Sequence, residues 1–231
     1  MKNIYLLASV LLVFSSGIFA QDCNAFFPFE QGKKWELTGY NAKGKVQDVQ
    51  TNEIVSKKTL DNGEEVTVKM TGNPGKKDEI SSEYKMTCQE NHVAMDMSLF
   101  IPAEQMNSFE SMEGATMDME SSNIEFPTQL AVGQELGGGS ITIKVSMNGM
   151  SMMSMNLEIK DRKVISKESI TTGAGTFECF KIEQQNEMKM GFVNRSYKSV
   201  TYISEKTGIV KTETYDKKGK LEYYQELSKI E

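Results

Sequence analysis

The chain has 231 residues, a formal net charge of −6 and a single histidine. That length holds one β domain with a sizeable core and needs no disulfide to fold. The acidic balance argues against nucleic acid and anionic lipid headgroups as electrostatic partners, and the lone His92 leaves Ser-His-Asp or Cys-His catalysis no other base.

Residues 1–20 read as a secretory signal peptide: Lys2 supplies a positive start, Ile4 to Phe19 are mostly apolar, and Ala20 is the small residue before the cut. The stretch is too short to be kept as a membrane span, and no second apolar run of membrane length follows. The mature chain, 21–231, is expected to be a soluble, exported single domain in the periplasm or outside the cell. Without Lys2 it carries 25 basic against 32 acidic residues, a net charge of −7. Ala20-Gln21-Asp22 precedes Cys23 where a lipid-anchored cysteine would follow Leu-x-small, so no acyl anchor is expected there.

Alternation then dominates. Val66, Val68 and Met70 alternate with polar residues, as do Tyr84, Met86 and Cys88, then Val93, Met95, Met97 and Leu99. The same period returns in Ile141, Ile143, Val145 and Met147 and in Met153, Met155, Leu157 and Ile159. Period two with one apolar face marks antiparallel strands. Turn signals separate them at Asp61-Asn62-Gly63, Asn73-Pro74-Gly75, Gln89-Glu90-Asn91, Asn148-Gly149, Thr207-Gly208 and Lys218-Gly219. Tyr40-Asn41-Ala42-Lys43-Gly44-Lys45 and Tyr215-Asp216-Lys217-Lys218-Gly219-Lys220 share one turn chemistry, a type I turn closed by a glycine bulge. The strands beside them share no similarity, so the echo is local and not a duplication.

One segment breaks the β pattern. Pro102 to Glu113, followed by Gly114, has proline at a helix start and glycine past its end, with Met106 and Phe109 three apart on one face. A short helix there could plug or lid a sheet. Gly137-Gly138-Gly139-Ser140 lacks the Lys-Ser/Thr pair of a phosphate loop and reads as a turn.

The candidate chemistry is thin. His92 lies in a turn region and reads as solvated. No G-x-S-x-G, HExxH or GxGxxG before a helix occurs, so no catalytic residue and no cofactor are assigned. Cys23, Cys88 and Cys179 suggest one disulfide and one leftover thiol; Cys88 and Cys179 both lie in strand-like runs and are the favoured pair. A metal site finds no CxxC and no nearby histidine to support it.

Methionine is the unusual component, at 16 residues, 12 of them between Met86 and Met155. Met86, Met95, Met97, Met147, Met153 and Met155 fall on the apolar phase, where flexible thioethers fill cores or line adaptable cavities. Met150 and Met152 sit around a turn, and soft thioether pairs of this kind also hold Cu(I) in exported copper handlers. The aromatics Trp35, Tyr40, Tyr84, Tyr197, Tyr202, Tyr215, Tyr223 and Tyr224 are spread as cross-strand partners would be.

Several stretches resemble one family of exported Bacteroidota proteins. They are Cys23-Asn24-Ala25-Phe26-Phe27-Pro28 with Gly32 and Trp35, Tyr84-Lys85-Met86-Thr87-Cys88 with Met95-Asp96-Met97, Val132-Gly133-Gln134, Arg162-Lys163-Val164, Gly175 to Ile182, and Gly208 to Tyr215. Together they are similar to the TapB-like group, related to domain of unknown function 3108. Gly173 stands where proline is usual, and Tyr202 where tryptophan is common. The resemblance implies a curved sheet like the half-open barrels of periplasmic lipoprotein carriers. It also implies association with a tetratricopeptide-repeat protein of the envelope. It assigns no catalytic residue.

The expectation is therefore an all-β domain with one short helix, an antiparallel, strongly curved sheet forming a half-barrel or barrel of about ten strands. The expected role is noncatalytic: holding a hydrophobic ligand or acyl chain on the concave face, with Met86, Met95, Met97, Met106, Phe109, Met153 and Met155 as lining. The alternatives are an interaction module for the repeat protein and Cu(I) binding at Met150 and Met152.

Overall fold

The computed structural model describes residues 23, 25–72, 80–97 and 113–231. The signal peptide lies outside the described residues, as does the expected helix with Met106 and Phe109, apart from Glu113 at its end.

Fourteen strands follow in chain order: β1 Lys34–Asn41, β2 Val46–Leu60, β3 Gly63–Gly72, β4 Ile80–Gln89, β5 His92–Met95, β6 Ala115–Ser121 and β7 Ile124–Pro127. They continue as β8 Glu135–Leu136, β9 Gly139–Met147, β10 Met150–Thr172, β11 Gly175–Met190, β12 Val193–Ser204, β13 Gly208–Tyr215 and β14 Leu221–Ile230. All belong to one antiparallel sheet in the order β6-β9-β10-β11-β12-β13-β14-β1-β2-β3-β4-β5-β7, with β8 on β10. The count exceeds ten in part because short strands such as β7 and β8 are too brief to show a period.

The order runs open from β6 to β7, yet those two strands are consecutive in sequence, separated only by Ser122 and Asn123. One segment therefore borders both ends of the sheet, β6 pairing β9 and β7 pairing β5. Ser122 fastens this seam: its amide donates to the Ser140 carbonyl at 2.8 Å, and its hydroxyl accepts from the Ser140 amide at 2.8 Å. Arg162 of β10 is buried nearby and donates through Nη1 to the carbonyls of Glu125 and Gly137. Its guanidinium lies 4.6 Å from the centre of the Phe126 ring. Burial lowers its pKa to about 10, which still leaves it cationic at neutral pH.

Curvature comes from bulges. The β10–β11 register shifts between Lys160 and Lys163 and again between Val164 and Ser166, and Asp161 takes a positive φ of 52°. An extra residue on one strand bends it and raises its twist. At that bend β10 leaves β9 and takes β8 as its neighbour, through Arg162↔Leu136 and Lys163↔Glu135.

The two echoing turns are built alike. Asn41 Oδ1 accepts from the amides of Lys43 and Lys45 at 2.9 and 3.1 Å, and Asp216 Oδ1 from those of Lys218 and Lys220 at 2.8 and 2.9 Å. Gly44 and Gly219 supply the positive φ, 74° and 79°, that each bulge requires. The turns lie side by side, Ala42 donating to the Glu222 carbonyl, with Tyr40 and Tyr224 stacked at 4.9 Å.

The main core gathers Ile54, Val66, Val68, Met86, Val93 and Met95 from one side of the sheet order and Ile141, Ile143, Met155, Leu157, Ile159 and Ile182 from the other. A second, smaller core joins Cys179, Val200, Tyr202, Val210, Leu227 and Leu37.

Candidate functional site

The segment before β1 packs into the main core as a plug. Phe26, Phe27 and Phe29 are all buried in the main core. Phe26 meets Phe180 edge-on at 6.0 Å, and Phe27 meets Phe126 at 5.3 Å. Lys206 donates its amide to the Ala25 carbonyl, and Gly208 comes so close that a Cβ there would lie 3.3 Å from the Phe27 ring.

A disulfide fixes this plug from the opposite side, and it corrects the expected pairing. Cys23 bonds Cys88 of β4, with Cα atoms 5.6 Å apart, and Cys179 is free and buried. Six strands lie between β4 and β11 in the sheet order. Alternation also separates the pair: Phe180 of β11 packs on the plug, so the neighbouring Cys179 side chain turns to the other face, into the second core. The Cys179 thiol donates to the Phe177 carbonyl, and burial pushes its pKa up to about 11. Burial in the same core as Phe26, Phe27 and Phe29 holds Cys23 in place.

Between the plug and strands β1–β5, β13 and β14 opens a cleft of about 240 Å³. Phe27, Trp35, Leu37, Met70, Met86 and Met95 give it apolar walls, while Gln50, Asn52, Thr212 and Gln225 add uncharged polar groups. Register explains the grouping. Asn52 of β2 pairs with Trp35 of β1 and Met70 of β3, so the three side chains stand in one row on one face. Tyr84 also borders the cleft, and burial raises its phenol pKa well above the ordinary range, which keeps it protonated. No described residue lining the cleft is charged.

Of the residues expected to line a cavity, Met86 and Met95 do so. Met97 is buried at the seam, where a Cβ on Gly139 would lie 3.1 Å from its sulfur. Met155 is buried in the core, and Met153 is only partly buried beside it. Met147, expected inward, is likewise only partly buried, because β9 ends there at the hairpin tip. Met150 and Met152 are 67 % and 62 % exposed at that tip. Among the described residues no group of three or more His, Cys, Asp or Glu could hold a metal ion. His92 is exposed, its Nδ1 donating to the Glu90 carbonyl at 3.0 Å.

Sequence reasoning missed Phe27, Gln50, Asn52 and Gln225. The run Phe26-Phe27-Pro28-Phe29 carries no period, and its density of aromatics beside a cysteine was the available signal. The polar cleft residues gave none, since amides at inward positions break the apolar phase that marks a buried face.

A family model named DUF3108-like matches residues 30–227. The chain belongs to the DUF3108-like family. That span takes in β1 through most of β14, and so the cleft walls contributed by the sheet. The DUF3108-like chain is similar to the crystal structure of a candidate lipoprotein from Parabacteroides distasonis. The TM-score is 0.74 and the identity 27 %, over 91 % of this chain and 100 % of that one. It also resembles a candidate exported protein of YmcC-like fold from Bacteroides fragilis, with TM-score 0.72 and 20 % identity over 90 % and 100 % of the two chains. At that identity the second likeness shows the fold alone. No curated protein matches the chain. No helix among the described residues of this DUF3108-like protein is long and apolar enough to cross a membrane.

Proposed function

We propose that this DUF3108-like protein is an exported, noncatalytic binding protein that holds a hydrophobic ligand, an acyl chain, in the cleft between the plug and β1–β5. The observation that carries the reading is the cleft itself. Its walls are apolar over most of their length, and no described lining residue is an acid, a base or a cysteine. Pockets for small ligands have this character, mostly apolar with a few placed polar groups. About 240 Å³ falls below the roughly 300–1,000 Å³ of a drug-sized site, which suits part of one chain better than a whole bilayer lipid. Export is supported by the disulfide, which belongs to an oxidising compartment, and by the candidate lipoprotein and exported protein that share the fold.

Diphenylhexatriene, an apolar fluorophore with no hydrogen-bonding group, tests the reading. Its fluorescence should rise saturably with the protein, and Met70→Trp, which fills the cleft from a partly buried position, should abolish the rise without lowering the melting temperature. Fluorescence unchanged by Met70→Trp would place any binding elsewhere.

A second reading rests on the hairpin tips. Met150 and Met152 of the β9–β10 hairpin and Phe192 and Val193 of the β11–β12 hairpin are all exposed. The two tips are neighbours, since Gly191 donates its amide to the Ser154 carbonyl at 3.2 Å. Exposed apolar side chains gathered at one place favour a protein contact, and the TapB-like resemblance suggests a tetratricopeptide-repeat protein as its partner. Replacing Met150 and Phe192 with serine should abolish such a complex and leave diphenylhexatriene binding intact.

A further inference from the structure

We infer that the cleft selects an uncharged acyl compound with a carbonyl oxygen, an ester-linked chain, over the free fatty acid, and that Asn52 is the donor that recognises it. The inference rests on the cleft reading above and names its ligand class.

Asn52 is 1 % exposed and stands on the cleft wall between Trp35 and Met70. Its Oδ1 accepts from Gln50 Nε2 at 3.0 Å. In this arrangement Nδ2 is left as the open donor. Nδ2 is buried and has no hydrogen-bond partner. Buried polar groups are almost always paired, and an unpaired donor carries its full desolvation penalty. Asn52 is also a wall of the cleft, so an acceptor atom on a bound chain is the missing partner.

The acceptor's charge follows from the rest of the lining. Gln50, Asn52, Thr207, Thr212 and Gln225 do not titrate in the ordinary range, and Tyr84 stays a neutral phenol. An ionised carboxylate would enter an apolar cleft in which no described lining residue is a cation, which is heavily disfavoured. An ester carbonyl offers the same acceptor geometry without the charge. It satisfies Nδ2 while its chain lies along Met70, Met86 and Met95.

Calorimetric titration with lauroylglycerol and with laurate, at a pH where laurate is ionised, tests this. Lauroylglycerol should bind at least about tenfold more tightly, the effect of one charge or one hydrogen bond made or lost in a dry site. Asn52→Leu should weaken lauroylglycerol by about tenfold and should not weaken diphenylhexatriene, which has no acceptor for Nδ2, to the same degree. Gln50→Leu, which frees the amide to rotate, should weaken it in the same direction and serves if Asn52→Leu does not fold. Equal binding of the two laurates, or tighter binding of laurate, would overturn the inference, as would an Asn52→Leu protein that folds and binds lauroylglycerol as before. In those cases diphenylhexatriene still binds and the cleft reading survives. If neither laurate nor diphenylhexatriene binds, both readings fall.

Discussion

The cleft wall of β2–β5 and the methionine-rich β9–β10 hairpin are built from the same pattern, and they end in different places. Both alternate, both put methionine on the apolar phase, and both belong to one sheet. On β4 and β5 that phase delivers Met86 and Met95 to the wall of a cleft. On β10 it delivers Met155 to a closed core and Met153 to the core's margin, while Met152 and Met150, at and beyond the register shift between Ser151 and Met153, are exposed at the tip. Phase says which side of a strand a residue occupies. How deep it lies depends on what faces it, and here the difference is the plug. Phe26–Phe29 stands against the β2–β5 side without filling it, whereas the β9–β10 methionines are covered strand by strand until the hairpin tip.

The plug is the first place to break that comparison. Cys23→Ser opens a loop with a sequence separation of 65 and should lower stability by about 4 kcal/mol. It should also weaken diphenylhexatriene binding, because Phe27 forms part of the cleft. Urea unfolding with and without reductant measures the first effect, and only the oxidised wild type should differ from the variant. Peptide mapping should recover Cys23 joined to Cys88, and thiol titration should find one group, Cys179, reactive only after denaturation.

Next in size comes Met155→Ala, expected to cost about 3 kcal/mol through the cavity it leaves in a packed core. Met153→Ala, partly exposed, should cost less than half of that. Equal losses would mean that the core closes over Met153 as well. The smallest effect belongs to the tip: Met150→Ser should move stability by no more than about 0.5 kcal/mol. Cu(I) competition measured on the protein with Met150 and Met152 both replaced should match the wild type if these residues serve contact. Loss of a tight one-to-one complex would support the copper alternative.

Strand existence was legible wherever period two ran long enough, as at Val66 to Met70 and Ile141 to Met147, and so was the matched chemistry of the Asn41 and Asp216 turns. Local residues determine both. The cysteine pairing was not legible, because it depends on sheet order and on which face of β11 meets the plug, and neither leaves a mark near Cys88 or Cys179. The candidate site was half legible. Met86 and Met95 announced themselves by phase, while Asn52 looks like any polar residue until Trp35 and Met70 are seen on either side of it. The seam was hidden for a related reason: nothing near Ser122 and Asn123 signals that the flanking strands pair with opposite ends of one sheet.

The central claim is that a chain-bearing ligand occupies the cleft, and its most direct test needs no chosen probe. The native protein and its Met70→Trp variant are purified alike from the envelope of the organism that makes them, and organic extracts of both are compared by mass spectrometry. The account expects ester-linked acyl compounds enriched with the native protein and missing from the variant. Identical extracts from two equally folded proteins would contradict it.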